Sequence, residues 1–255
     1  MDSRVSLIGE FYRGLPKERA KVETYESGFE YLERLLTDGM ELEYAEMPHM
    51  GLLHKYKLSN IPRYRMVELL LSHVEKRANL CLYFHDEANS LFCFNLDNNS
   101  KTNNTALIPE MQLAAGLLRE QLTAIGCEPL LVASGRGYHV WCRLASPVAN
   151  KQLYDLMLYC MARVMAGLHE RGLDYNKVKA NFYPDPRTQN VVSLRLFGTE
   201  HARNKVFSRI LSGDAILDEA ASWAAFEEHV RTKTIADEAF QKALSTMAAA
   251  FRQGA

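Results

Sequence analysis

The spacing of apolar residues changes character along this chain. Through residue 75 it is mainly helical. In ESGFEYLERLLTDG, Phe29, Leu32, Leu35 and Leu36 fall on one side, and the run stops at Gly39. NIPRYRMVELLLSHVEKR opens at Asn60, carries Pro62 near its first turn and continues with the same period. These runs predict a helical lobe over residues 1–75. From residue 76 the pattern alternates instead. NLCLYFHDEANSLFCFNLDNN holds two β-rich runs around DEANS. A helix follows from Pro109 to Gly126, then strand, glycine loop and strand in EPLLVASGRGYHVWCRLASP. A second long helix is capped by Asn150 and closed by Gly172, and QNVVSLRLFGTEHARNKVFSRIL returns to β spacing with a break at Gly198. The order β-β-α-β-β-α-β predicts an α+β core over 76–212 rather than a doubly wound sheet. Residues 213–255 predict a helical extension, two helices in an Ala-rich, mildly acidic tail.

Charge refines this outline. The 255 residues carry 30 Lys and Arg against 31 Asp and Glu, which excludes a histone-like polybasic binder but not a local basic groove. Residues 1–50 hold six basic and eleven acidic side chains, whereas 163–209 hold nine and four, so the second window is the expected place for a polyanion. The five cysteines form no CxxC pair, which predicts reduced, buried thiols of a cytoplasmic protein. The first residues contain no apolar signal-peptide core, and no run reaches 18 apolar residues, so no membrane span is expected.

Three polar clusters carry candidate chemistry. In LFCFNLD, Asn95 and Asp97 lie two apart and share a strand face, while Phe92, Phe94 and Leu96 pack behind. Two oxygen-bearing side chains in that position suit a hard divalent ion; Asp97 and Asn98 also suit the start of a turn. In SGRGYHVW, Gly135 and Gly137 permit a tight turn and close approach of a ligand, and Ser134 and Arg136 offer donors to phosphate oxygens. His139 is either a phosphate ligand or a satisfied core histidine. In FYPDP…GTEHARNK, Asp185 sits between prolines, and Arg195, His201, Arg203, Lys205 and Arg209 follow. These cations suit a triphosphate or a strand backbone, and equally a solvated basic face.

The ordered set CFNLD, SGRGYHVW and FYPDP…RLFGTEHARNK resembles the archaeo-eukaryotic primase superfamily over approximately residues 80–210, and most closely the primase-polymerase branch of mobile elements and phages. The resemblance implies a primase-like catalytic module with helical additions, binding Mg²⁺ or Mn²⁺, nucleoside triphosphates and single-stranded DNA or a primer-template. It implies that Asn95 and Asp97 match the family's paired metal carboxylates, with Asn in the first position. It implies that Ser134 and His139 match the second motif, and that Asp185 (or Ser193) supplies the third metal ligand. Arg195, His201 and Lys205 match the basic residues that follow. With Arg136, they form the implied nucleotide-binding set.

The expected function is templated nucleotidyl transfer that makes or extends primers for replication or repair. The alternative is a catalytically reduced primase fold that binds nucleic acid or starts replication, motivated by Asn95. A metal-dependent nuclease is the third reading. A helicase or another replication protein on a separate chain is the expected partner, since no P-loop motif appears.

Overall fold

The computed structural model describes residues 2–15, 19–24, 41–46, 54–100, 107–188, 193–201, 204–232 and 237–253. The helix expected around Phe29–Gly39 and the residue Arg203 lie outside them. Among the described residues, strands form two open antiparallel sheets, and the fold is α+β as expected.

The smaller sheet is built from β1 (Ala20–Thr24), β2 (Glu41–Glu46), β3 (His54–Ser59), β4 (Asn79–Tyr83) and β9 (Ser193–Arg195), in the order β2-β3-β1-β4-β9. The prediction of a helical lobe over 1–75 is corrected at β1, β2 and β3. AKVET and HKYKLS alternate with period two, burying Ala20, Val22, Tyr56 and Leu58 on one face. Helices α1 (Ser3–Phe11) and α2 (Arg63–Val74) do lie in this region, and they pack on each other.

The larger sheet holds β5 (Ala88–Asn98), β6 (Leu130–Ala133), β7 (Gly137–Ala149), β8 (Val178–Tyr183), β10 (Arg209–Ser212) and β11 (Ala215–Ile216), in the order β11-β10-β6-β7-β5-β8. Helices α3 (Pro109–Ala124) and α4 (Asn150–Glu170) cover its back, where Phe92, Phe94, Leu96 and Val140 are fully buried. The tail forms α5 (Glu219–Thr232) and α6 (Asp237–Gln253), matching the two predicted helices. α5 joins α1 and α2 in the other core through Phe226, which packs on Phe11 and Phe197. That core unites residues from all three predicted segments, from Val5 through Leu80 to Val230.

Local devices hold the two sheets together. β4 passes into β5 through Phe84–Glu87, so these strands are not a hairpin but belong to different sheets. Asn150 was expected to cap α4. Instead its amide donates to the carbonyls of His85 and Asp86, at 2.7 and 2.9 Å, and accepts from Asn89 at 2.7 Å. His73, buried on α2, accepts the Leu80 N–H through Nδ1 at 2.9 Å and donates through Nε2 to the Phe197 carbonyl at 3.0 Å. Burial pushes its imidazole down to about 4. The Phe197 N–H in turn donates to the Tyr12 hydroxyl, fixing the end of β9 to α1.

Candidate nucleotide and nucleic-acid cleft

Strand register assembles the site. Along one row of the larger sheet, Val132, His139, Asn95 and Asn181 lie opposite one another on β6, β7, β5 and β8. The next row is Gly137, Asp97 and Lys179. Opposed residues share a face, so this front face is the one turned away from α3 and α4. Asn95 Nδ2 donates to Asp97 Oδ2 at 3.0 Å, and Asn181 Nδ2 lies 3.4 Å from the same oxygen. Arg136 approaches the other oxygen at 4.0 Å. Asn95 Oδ1 is buried and has no hydrogen-bond partner.

The smaller sheet contributes a basic row. Lys57, Lys21, Cys81 and Arg195 lie opposite one another on β3, β1, β4 and β9. Glu23, one step along, pairs with Lys21 at 3.1 Å. Burial pulls the Glu23 carboxyl upward, but Lys21 outweighs it and leaves the group below its ordinary range. The Lys21 ammonium is held above its own range by the Cys81 sulfur and by Glu23, against its burial. Arg195 is almost fully buried, and its guanidinium donates to the Ser134 carbonyl, while its Nε has no partner. A buried guanidinium with an unused donor is costly unless an acceptor arrives.

The glycine loop sits where the two rows converge. Ser134 N–H and its hydroxyl both donate to the Gly137 carbonyl, at 2.8 and 3.2 Å, so the hydroxyl expected on a phosphate closes the turn instead. A Cβ on Gly137 would stand 1.8 Å from the Leu96 carbonyl oxygen, which restricts the position to glycine. Gly135 has φ +96, and a Cβ there would come within 2.8 Å of His201. Asn204 donates to the Gly135 carbonyl at 2.6 Å and ties the segment that carries Lys205 to the loop. Burial, then Arg195, then His201 depress the His139 imidazole to about 3. His139 is therefore neutral at ordinary pH, a donor or acceptor rather than a cation.

Asp97, Asn95, His139, Ser134, Arg136, Arg195, His201 and Lys205 thus fall around one region of the structure. Asp185 does not join them. β8 pairs Tyr183 with Cys93, four residues or about 13 Å along β5 from Asp97. Past that point Asp185 takes Arg187 at 2.7 Å, which holds its carboxyl below the ordinary range, and Arg187 stacks on Tyr154. Ser193 sits on β9 opposite Tyr83. The residue of β8 that lies beside Asn95 and Asp97 is Asn181. The nearby acids Asp86 and Glu87 precede the far end of β5, some 30 Å along the strand from Asp97. Lys21, Lys57, Lys179, Asn181 and Asn204 were missed. Alternation in AKVET, HKYKLS and VKANFY was the available signal.

The donor set fits one oxygen-liganded cation at the Asp97 carboxylate with the orphaned Asn95 Oδ1. It supplies no pair of carboxylates. Among the described residues, no group of three or more His, Cys, Asp or Glu side chains is placed to hold a metal ion.

No family model matches this chain, and no curated protein matches it. Among solved structures, it is similar to the polymerase domain of Mycobacterium tuberculosis ligase D in complex with DNA, at 13% identity over 94% of this chain and 86% of that one, with a TM-score of 0.46. It is also similar to primase RepB′, at 13% identity over 98% of this chain and 68% of that one, TM-score 0.37. A third likeness is the cyanophage S-2L primase-polymerase domain, at 12% identity over 89% and 98%, TM-score 0.37. The three are described as a polymerase domain, a primase and a primase-polymerase domain. Among the described residues, no helix is long and apolar enough to cross a membrane.

Proposed function

We propose that the cleft binds a nucleoside triphosphate against single-stranded DNA and carries out templated nucleotidyl transfer, making or extending primers. The observation that carries this reading is the buried Arg195, whose Nε lacks a partner and which stands beside neutral His139 and the Gly135–Gly137 loop. An incoming phosphate oxygen fills that donor. Arg136 and Lys205 add charge at the rim, and His139 contributes a hydrogen bond without a proton exchange near neutrality. Asp97, with Asn95 Oδ1 and Asn181 beside it, would hold Mg²⁺ or Mn²⁺, which when bound lowers the pKa of the attacking hydroxyl and offsets charge on the phosphoryl group. Lys21 and Lys57 provide a track for the strand backbone. A helicase or replication protein on another chain is the expected partner.

Primer synthesis on single-stranded DNA with nucleoside triphosphates and Mn²⁺ tests this directly. Asp97→Ala should lose activity by at least about a thousandfold while nucleotide binding persists. Full activity in that variant would refute the assignment. The Lys21→Gln, Lys57→Gln double variant should bind single-stranded DNA with a shallower salt dependence, by about 1.4 in log–log slope for two contacts. An unchanged slope would place the strand elsewhere.

A second reading is favoured by a separate observation: amides flank the one carboxylate, and Asp185 is committed to Arg187. Under it the cleft binds nucleotide and DNA without releasing pyrophosphate. The double variant Asn95→Asp, Asn181→Asp separates the two. A large gain in pyrophosphate release marks a reduced site, and a loss of existing release marks an adapted one.

A further inference from the structure

On the opposite side of the larger sheet, α3, α4 and α6 line a half-open pocket of about 480 Å³, a volume typical of small-molecule sites. Phe240 and Met247 anchor α6 in the back core, and Ala239 seats against the Gly126 turn so closely that a Cβ on that glycine would come within 2.9 Å. Between these anchors the helices do not close. The walls are mainly apolar, with Leu156, Cys160 and Met247 among them. The charged residues lining the cavity, Arg163 and Lys242, are both cations. Arg163 is oriented by the Tyr159 hydroxyl, to which it donates at 3.1 Å. Gln121 also lines the cavity, and its Oε1 is buried with no hydrogen-bond partner. An apolar chamber with a positive mouth and an unfilled acceptor has a definite complement.

We propose that this cavity binds a small anionic amphiphile, with an apolar body between α3, α4 and α6 and a carboxylate or similar head between Arg163 and Lys242. Burial of the body drives binding, and the two cations select the charge of the head. A hydroxyl or amide on the body would satisfy Gln121. Occupancy would tie α6 to α4, on the face of the sheet opposite the cleft.

The test uses the full chain and two probes of equal length, decanoate and 1-decanol, in isothermal titration. Decanoate should saturate at one per chain. Arg163→Gln with Lys242→Gln, both at exposed positions, should weaken decanoate by at least about tenfold and leave decanol unchanged. Ala243→Trp, which fills the chamber, should abolish binding of both. Absence of saturable decanoate binding to the unaltered chain would overturn the proposal, as would equal loss of decanol and decanoate in the charge variant. If Ala243→Trp displaces α6, as circular dichroism would report, the charge variant alone decides. Primer synthesis should be unchanged in the charge variant, so this site and the cleft stand or fall separately.

Discussion

The two faces of the larger sheet are made by the same strands and both bury apolar residues, Leu91, Cys93 and Trp141 in the core shared with the smaller sheet; they differ around Asn95 and Asp97. On β5, Phe92, Phe94 and Leu96 point back into a fully buried core under α3 and α4. Asn95 and Asp97, interleaved with them, point forward among groups whose hydrogen bonds are incomplete. One-residue alternation therefore lets a single strand act as both core and site. The back face spends its surface on burial, which stabilises the fold. Around Asp97 the front face leaves Asn95 Oδ1 unsatisfied, and Arg195 Nε on the smaller sheet is likewise unpaired, each of which destabilises the fold.

The contrast can be broken most sharply by truncating the back face. Phe94→Ala should destabilise the chain by about 3–5 kcal/mol in urea unfolding. A loss below about 1 kcal/mol would mean that this face is not the core. Next in size is the pH response of two buried histidines, His73 on α2 and His139 on β7. Both His73 and His139 titrate below their ordinary value of 6.5, at about 4 and about 3. As pH falls below 6.5, the unfolded chain takes up the proton and the folded chain does not. Their contribution is complete above pH 6.5 and is lost on acidification toward the folded values. Each histidine adds roughly 1.4 kcal/mol per pH unit across that window. His139→Gln should remove one such increment between pH 6 and 4.5, and an unchanged slope would show that His139 is solvated. The smallest effect is expected at Asn95→Leu, which should change stability by less than about 1 kcal/mol, or raise it, because it removes an orphaned acceptor. A loss as large as that of Phe94→Ala would make the front face structural.

What was legible in the sequence follows the same division. The back of the larger sheet, α3, α4 and the glycine loop were readable because apolar spacing and glycine positions report local geometry. So was the convergence of Asp97, His139 and Arg195, though through motif resemblance rather than spacing. The smaller sheet was not seen, since its strands are short and separated. Lys21 and Lys57 meet only through pairing of distant segments. Asp185 was chosen as the third ligand because it is a carboxylate in the expected order along the chain. Register, which only the fold sets, puts Asn181 beside Asn95 and Asp97 instead. Asn150 was expected as a cap because of its position, but Asn89 Nδ2 takes the side-chain oxygen that a cap would offer to a backbone N–H.

The four residues from Phe84 to Glu87 have a mechanical consequence. They lead directly from the smaller sheet into the larger one, and the Asn89–Asn150 amide lattice grips them at one end. This short strap is thereby one of the links between the lysine-bearing and aspartate-bearing sheets, beside their shared core and the Arg195–Ser134 bond. Loosening it would weaken that link without altering a residue of either basic or acidic row.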